Sequence, residues 1–417
     1  MSGASSVGGG MLVFYFFAAI VIWLGILSLR GGKRFADYLR LGTSRPLPDF
    51  TPFVSVIAPT RGLDQGLHEN LTALFHQEYP GYEIIFVTDE ESDPSLSVIE
   101  EVKRSVTAPG RSDEKNISTR IVIAGAAVDS GQKVHNLRVA VGEIDSRSEV
   151  LVFVDADARP QVHWLRSLVA PLHDQHIGAA TGYRWFIPLR GGLASHLCSV
   201  WNASIASALG ENDDRNFCWG GSTAIRRDTF ERLNIRERWR GTVSDDFALT
   251  NALKEAHRPI HFVPACLTTS LEDCSFSELV EFTTRQVKIT RVYSSNLWKA
   301  ALIGSLLFVL VFFGGIVLVV TRAFLGLSFW FPLLLISIIF ILGALKGFIR
   351  LRAVQLPLAK YSRELSDTLP AHLLLWPITS ALFLYNCIAA MFSRRIEWRG
   401  IKYELKSPTE AVIIREL

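Results

Sequence analysis

Long segments without a single charged residue constrain this chain more than any other feature. Residues 11–29, 301–320 and 323–345 contain no Asp, Glu, Lys or Arg, and only Pro332 interrupts the third segment. A helix of about 20 apolar residues crosses the ~30 Å hydrocarbon core of a bilayer, and buried helices of soluble proteins seldom stay uncharged over that length. The three segments are therefore predicted to be transmembrane helices.

A fourth apolar segment, residues 371–392, has a proline at Pro377. Basic residues lie on both sides of it, in residues 347–366 and in the tail 393–417. The positive-inside rule places both flanks in the cytosol, which one ordinary span cannot achieve. Either the segment bends near Pro377 and re-enters, with protein covering its unpaired backbone groups, or one basic cluster lies outside the cytosol. We favour re-entry. Residues 299–392 would then form the C-terminal membrane region.

The start of the chain indicates a retained anchor rather than a signal peptide. Residues 1–10 contain no Lys or Arg, whereas a signal peptide begins with basic residues. The basic residues follow the first apolar segment instead: Arg30, Lys33, Arg34 and Arg40. The leader is therefore expected outside the cytosol, and the domain and the tail inside it. A bacterial inner membrane is the expected location, or an ER or Golgi membrane in a eukaryote.

Composition excludes several classes of protein. The chain is 49% hydrophobic with a mean hydropathy of +0.25, so it is not intrinsically disordered. Its net charge of +3 is too balanced for a nucleic-acid-binding protein. Five cysteines without a CxxC pair exclude a disulfide scaffold and a cysteine-rich zinc module.

Residues 50–275 alternate apolar strands with helical stretches. The strands are predicted at 53–60, 82–89, 119–125 and 149–157. Continuous apolar strands separated by helices indicate an α/β domain with a mostly parallel sheet, which binds ligands at the carboxyl ends of its strands. Neither GxGxxG nor GxxxxGK[ST] follows a strand, which removes most support for a dinucleotide or P-loop site.

Acidic residues stand at those carboxyl ends. Asp89 closes one predicted strand, and Asp155 and Asp157 close another. Two carboxylates two residues apart repel each other unless paired, and Mg²⁺ or Mn²⁺ takes one or two carboxylates together with substrate phosphates. A simple acidic helix cap is the alternative. We predict that Asp155 and Asp157 bind a divalent metal ion.

Two further segments carry candidate residues. Asp245 and Asp246 open a predicted helix, where they either stabilise its N-terminus or supply a general base. Gly221 lies in a turn of small residues that would let a ligand approach the backbone closely.

An amphipathic segment, residues 276–298, precedes the membrane region. Arg285 and Lys288 share one face of this predicted helix. That face suits lipid headgroups, and it equally suits a diphosphate clamp.

Together these motifs resemble inverting glycosyltransferases with the GT-A fold, in particular the ceramide glucosyltransferase branch, glycosyltransferase family 21. The resemblance runs from about residue 50 to 405. The family's three ordered aspartate motifs match Asp89, Asp157 and Asp246.

Two other stretches carry the resemblance, and one motif departs from it. SGQKVHNL has Lys133 and Asn136 at the family's positions, and IEWRGIKYEL matches its terminal motif. The family's (Q/R)xxRW motif is altered, because Lys288 replaces Arg and Ile289 replaces Trp after Arg285. Lys keeps the charge but lacks the planar bidentate fork of Arg.

The resemblance implies a GT-A (Rossmann-like) domain at 50–275 and transfer of a sugar, most simply glucose, from a UDP-sugar to a membrane lipid such as ceramide. Asp246, beside Asp245, would be the catalytic base, and a Mg²⁺ or Mn²⁺ ion would bind Asp157 and Asp155. The expected donor-binding residues are Asp89, Lys133, Asp155, Gly221, Arg285 and Lys288. Neither a nucleic acid nor an obligate protein partner is expected. A membrane polysaccharide synthase and an inactive UDP-sugar-binding protein remain the alternatives.

Overall fold

The structure, a computed structural model, describes residues 3–43, 46–106 and 117–414, with side chains from residue 10 onward. Its strands are β1 (Val54–Pro59), β2 (Tyr82–Thr88), β3 (Ser118–Ile123), β4 (Val150–Phe153), β5 (Ala179–Ile187), β6 (Thr223–Arg226), β7 (Ile260–Leu271), β8 (Arg395–Trp398), β9 (Ile401–Ser407) and β10 (Glu410–Ile414).

The α-helices of the described residues alternate with these strands and then continue into an all-helical region. They are α1 (Gly3–Gly42), α2 (Leu67–Phe75), α3 (Ser95–Val106), α4 (Gln132–Ala140), α5 (Trp164–Val169), α6 (Leu193–Ala206), α7 (Arg227–Arg232), α8 (Ile235–Arg238), α9 (Asp245–Glu255), α10 (Phe276–Tyr293), α11 (Ser295–Phe324), α12 (Trp330–Val354), α13 (Ser362–Asp367), α14 (Leu369–Leu374) and α15 (Trp376–Phe392).

The first seven strands form one sheet in the order β3-β2-β1-β4-β6-β5-β7. Only β6 runs antiparallel to its neighbours, so the predicted α/β domain with a mostly parallel sheet is confirmed. Every residue of β2 and β4 is buried, because helices cover both faces of the sheet. The parallel strands β1, β2 and β4 therefore end at one edge, which gathers the loops that follow them.

Within the described residues, three helices are long and apolar enough to cross a membrane, as the sequence predicted. They are Gly10–Gly42, Ser295–Phe324 and Trp330–Val354. The first two contain the predicted segments 11–29 and 301–320 entirely. The third begins at Trp330, after the non-helical residues 325–329, and not at residue 323 as the sequence predicted. Pro332 lies in the first turn of α12, where its missing N–H removes no helical hydrogen bond. Helix α1 packs against α12, which joins the two ends of the membrane region.

The fourth apolar segment is divided into α14 and α15, and the break falls beside Pro377. Helix α15 has 17 residues, fewer than the about 20 of a typical span. Its Asn386 is fully buried and accepts a hydrogen bond of 3.0 Å from Thr284 of α10. His372 of α14 stacks on Trp185 of β5. The polar residues of this segment thus contact protein, while its re-entry into the membrane stays a prediction.

The basic tail folds into a second sheet, with β8, β9 and β10 antiparallel. Its inner face packs against both the α/β domain and α10. The cluster consists of Val243, Ile289, Tyr293, Ile396, Tyr403, Leu405 and Ala411. The Tyr403 hydroxyl also accepts a hydrogen bond of 3.1 Å from the backbone N–H of Gln132 at the start of α4. The chain therefore returns from the membrane helices to the edge of the first sheet.

Candidate functional site

A cavity of about 1040 Å³ lies at the carboxyl edge of the first sheet. Its polar end is formed by the loops after β1 and β4, by the start of α9 and by the tail sheet. Its apolar end reaches α11 and α15 through Leu297, Trp298, Ala301 and Phe383. One continuous space therefore connects a group of acidic and basic side chains with helices of the membrane region.

Lys133, at the start of α4, holds two of the predicted site residues together. Its Nζ lies 2.6 Å from Asp155 Oδ1 and 3.1 Å from Asp245 Oδ1. Burial opposes the charge of Lys133, but the carboxylates outweigh it and raise the pKa of the ammonium group. Burial and repulsion from Asp246 and Asp155 raise the pKa of Asp245 to about 6, although Lys133 opposes this shift.

Asp157 pairs with an arginine that the sequence analysis did not identify. Arg184 Nη1 lies 2.9 Å from Asp157 Oδ2, and its guanidinium stacks on the rings of Phe186, Trp219 and Phe282. Burial raises the pKa of Asp157, although Arg184 opposes this shift. Arg184 stands within the apolar strand β5, and that isolated charge is the signal that could have revealed it.

The residues at this position fit a divalent metal ion that completes its coordination with substrate. Asp157 Oδ1 is buried without a hydrogen-bond partner among the described residues. Those residues contain no group of three or more His, Cys, Asp and Glu side chains arranged for a metal ion. Mg²⁺ and Mn²⁺ need no such cage, because they bind through one or two carboxylates and the oxygens of a phosphate group. Asp157, with Asp155 nearby, is suited to that mode.

Asp246 is partly exposed to the cavity, in contrast to its buried neighbour Asp245. Ser244 is the N-cap of α9, and its Oγ accepts a hydrogen bond of 3.3 Å from the Phe247 N–H. The Ser244 hydroxyl and the Phe247 N–H both donate to Asp246 Oδ1. Ser244 Oγ and Asp246 Oδ1 thus share the Phe247 N–H. Within the described structure no hydrogen bond engages Asp246 Oδ2, which suits a general base.

The glycine turn contacts the site through a different glycine from the predicted one. A Cβ at Gly220 would lie 2.6 Å from both Lys133 Nζ and Asp245 Oδ2. A Cβ at Gly221 would instead strike the ring of Trp219, at 2.2 Å. The backbone that lies close to the charged groups Lys133 and Asp245 is therefore that of Gly220.

Besides Gly221, two of the predicted donor-binding residues, Asp89 and Lys288, do not line the cavity. Asp89 forms an ion pair with Arg61, and Arg61 is the partner that faces the cavity. Lys288 donates a hydrogen bond of 2.7 Å to the backbone oxygen of Arg395 in the tail sheet. Arg285 does line the cavity, and its guanidinium lies 5.9 Å from the ring centre of Trp398.

Three cavity residues come from segments that the sequence analysis left without a role in the site. Glu272 follows β7, and burial together with repulsion from Asp157 raises its pKa to about 7. Trp398 and Arg399 lie at the turn between β8 and β9. The resemblance of the tail to a terminal motif was the available signal, but only the docking of the tail sheet shows that this turn reaches the cavity.

Comparison with known protein families gives a match over almost the whole chain. Residues 13–411 match the family described as glycosyl transferase family 21. Two curated relatives match over shorter stretches. Ceramide glucosyltransferase 1 of Caenorhabditis elegans is 32% identical over 94 residues, 22% of this chain and 18% of that protein. Ceramide glucosyltransferase of Komagataella phaffii is 29% identical over 87 residues, 20% of this chain and 17% of that protein. The alignments thus span less than a fifth of each relative's length.

Among solved structures, the chain is similar to a mannosyltransferase from Pyrobaculum calidifontis in complex with GDP-Man and Mn²⁺. The TM-score is 0.44 at 16% sequence identity, and the alignment covers 90% of this chain and 98% of that one. Glucosyl-3-phosphoglycerate synthase from Mycobacterium tuberculosis, in complex with phosphoglyceric acid, gives a TM-score of 0.37 at 14% identity, over 59% of this chain and 86% of that one.

Proposed function

The chain belongs to glycosyltransferase family 21, and we propose that it transfers a sugar, most simply glucose, from a UDP-sugar to the hydroxyl of a membrane lipid such as ceramide. The reaction would take place at the cytosolic face of the membrane. The cavity carries this proposal, because it joins a cluster of charged side chains to the apolar surface of α11 and α15.

The polar end has the groups that a nucleotide diphosphate requires. Lys133, Arg184 and Arg285 line it, and together they place positive charge where a diphosphate would lie. Asp157, with Asp155, would hold a Mg²⁺ or Mn²⁺ ion. Such an ion, when bound, neutralises charge on the diphosphate and makes it a better leaving group.

Asp246 is the residue we assign to proton transfer. Its free Oδ2 would accept the proton of the acceptor hydroxyl while the hydroxyl oxygen attacks the anomeric carbon. The new bond joins that carbon to the acceptor oxygen, and the bond to the diphosphate oxygen breaks, so UDP leaves. A single displacement of this kind inverts the anomeric centre, because attack and departure occur on opposite faces.

The apolar end suits the acceptor. Trp298 and Ala301 of α11 and Phe383 of α15 line it, and α11 is one of the helices able to cross a membrane. A lipid could keep its hydrocarbon chain against these helices while its hydroxyl reaches Asp246. A soluble sugar acceptor has no hydrocarbon chain to bury against this apolar surface, so the surface would add little to its binding.

The test is UDP release by the full chain in detergent with Mn²⁺. UDP-glucose, UDP-galactose and UDP-N-acetylglucosamine are each supplied with and without a total lipid extract. Asp246→Asn is compared with Asp228→Asn, which alters an exposed carboxylate in the first turn of α7. Release that requires lipid, persists in Asp228→Asn and disappears in Asp246→Asn is the expected result.

Mass spectrometry of the extract then identifies the acceptor. A glycosylated lipid with one added sugar supports the proposal. Long saccharide products would point to a polysaccharide synthase instead. UDP binding without release from any of the three donors would indicate an inactive UDP-sugar-binding protein.

A further inference from the structure

The turn between β8 and β9 places an arginine in a backbone conformation that arginine seldom adopts. Trp398 pairs with Ile401, so Arg399 and Gly400 form a two-residue hairpin loop. Both have positive φ, 52° for Arg399 and 76° for Gly400, as a type I′ turn requires. Asn, Asp or Gly normally fills the first position, since other side chains are strained there. Local strain of this kind is typical of a residue whose side chain has a function.

The side chain of Arg399 crosses the polar end of the cavity. Its Nη2 lies 2.5 Å from Asp64 Oδ1, in the loop after β1. Asp157 and Asp155 act on the same guanidinium, because their charges, after that of Asp64, raise the pKa of Arg399 against the opposing effect of burial. Arg399 therefore sits in the field of the two carboxylates proposed to hold the metal ion.

We propose that Arg399 is a donor-binding residue whose guanidinium engages the diphosphate of the nucleotide-sugar in exchange for Asp64. The inference rests on the proposed function. A guanidinium fork matches carboxylate and phosphate oxygens alike, so Asp64 occupies the position that a phosphate group takes over. The exchange keeps Arg399 paired in both states, and it needs only a movement of the side chain.

Several contacts hold the backbone on either side of the turn, so the Arg399 side chain can change its partner while the turn stays in place. Tyr403 anchors β9 to α4, and Arg285 Nη1 donates a hydrogen bond of 3.1 Å to the backbone oxygen of Glu397 in β8. Lys288 is bound to the backbone of β8 as well. Lys288 thus places no positive charge at the cavity, whereas Arg399 does.

The competing interpretation is that the ion pair between Arg399 and Asp64 is purely structural. A variant of each residue distinguishes this interpretation from diphosphate binding. If Arg399 and Asp64 only hold the two loops together, loss of either partner weakens nucleotide binding alike. If Arg399 binds the diphosphate, loss of Asp64 removes a competitor and strengthens binding, whereas loss of Arg399 weakens it. The two variants then change the dissociation constant in opposite directions.

The experiment measures UDP and uridine binding to the full chain in detergent with Mn²⁺, by calorimetry. Arg399→Asn is the main variant, because Asn-Gly is the preferred type I′ turn and the hairpin should remain folded. Asp64→Asn is the second. Arg394→Gln is the matched control. Arg394 belongs to the tail, its guanidinium donates a hydrogen bond to the Lys406 backbone oxygen, and it does not line the cavity.

The expected result is a Kd for UDP about 10- to 100-fold higher in Arg399→Asn, as for loss of a hydrogen bond to a charged group. Thermal stability and uridine binding should not fall in this variant. Asp64→Asn should lower the Kd for UDP, and Arg394→Gln should leave it unchanged. Unchanged UDP binding in Arg399→Asn, or equal weakening in both variants, would overturn this inference alone. Absence of UDP binding to the unaltered protein would overturn the proposed function and this inference with it.

Discussion

Lys133 and Asp245 form a buried ion pair, with 3.1 Å between Nζ and Oδ1. The same ammonium group lies 2.6 Å from Asp155, so one cation joins the acidic turn after β4 to the first turn of α9. Two elements that are 90 residues apart in the chain thus share one counter-charge. The position of the proposed metal site relative to the proposed base therefore depends on Lys133.

Replacement of this lysine should damage both stability and donor binding. Lys133→Met leaves the buried Asp245 and the partly exposed Asp155 without their cation, and breaking a buried pair costs about 3–5 kcal/mol. We expect a clear drop in the unfolding temperature in detergent and loss of UDP binding. Lys103→Met is the control, because its pair with Glu100 is at the surface and such pairs contribute about 0–1 kcal/mol. Equal unfolding temperatures for the two variants would contradict this account.

A methyl group at Gly220 should disturb the same contact from the other side. Gly220→Ala puts a Cβ 2.6 Å from Lys133 Nζ, which must move away and take its carboxylates with it. Misplacement of catalytic groups by about 1 Å can reduce turnover about 100-fold. We expect a loss of that order in UDP release, with a folded protein by circular dichroism.

Gly210→Ala is the matched control for this prediction. Gly210 has nothing within 4 Å of its added Cβ and no positive φ, so this variant should keep full activity. Normal turnover in Gly220→Ala would show that the contact around Lys133 has no part in the reaction.

The sequence was informative where a single strand determines the local structure. The cores of β1, β2 and β4 coincide with continuous apolar stretches, and the sheet order follows from their parallel pairing. Asp155 and Asp157 lie at the sheet edge because they directly follow β4. A residue's place after a buried strand is a local property, and it could be predicted without knowledge of the fold.

Contacts between distant segments could not be predicted in the same way. Arg399 reaches the cavity because Tyr403 and its neighbours dock against Val243 and Tyr293, which no local pattern in the basic tail specifies. Arg184 faces Asp157 only because β5 and β4 are brought together on either side of β6. The direction of Lys288 likewise depends on β8, which the sequence analysis did not anticipate.

The titration of Glu272 should make stability depend on pH. Asp157, Arg184, Asp64 and Arg399 face this group, and burial is the largest cause that raises its pKa to about 7 from 4.5. The folded state then holds the proton more tightly than the unfolded state does. The stabilisation is complete below pH 4.5 and is lost as the pH rises through 7, by up to about 3 kcal/mol at 1.36 kcal/mol per pH unit.

Glu272→Gln removes this titration and should flatten the profile. With EDTA present, the unfolding temperature of the unaltered protein should fall between pH 5 and pH 8 more than that of Glu272→Gln. The two proteins should be similar at pH 5, and the variant should be the more stable at pH 8. Parallel profiles over this range would show that Glu272 does not titrate as described.

The apolar end of the cavity should control the acceptor and leave the donor unaffected. Ala301 of α11 lines this end and packs beside Trp298 and Trp201. Ala301→Phe would fill space that a lipid chain needs, and overpacking of this kind costs about 1–3 kcal/mol, which is about 5- to 100-fold in the acceptor KM. The Kd for UDP should stay unchanged, since the diphosphate groups lie at the other end of the cavity. Gly304→Phe on the same helix is the control, because nothing lies within 4 Å of a Cβ at Gly304. An unchanged acceptor KM in Ala301→Phe would mean that the lipid does not enter between α11 and α15.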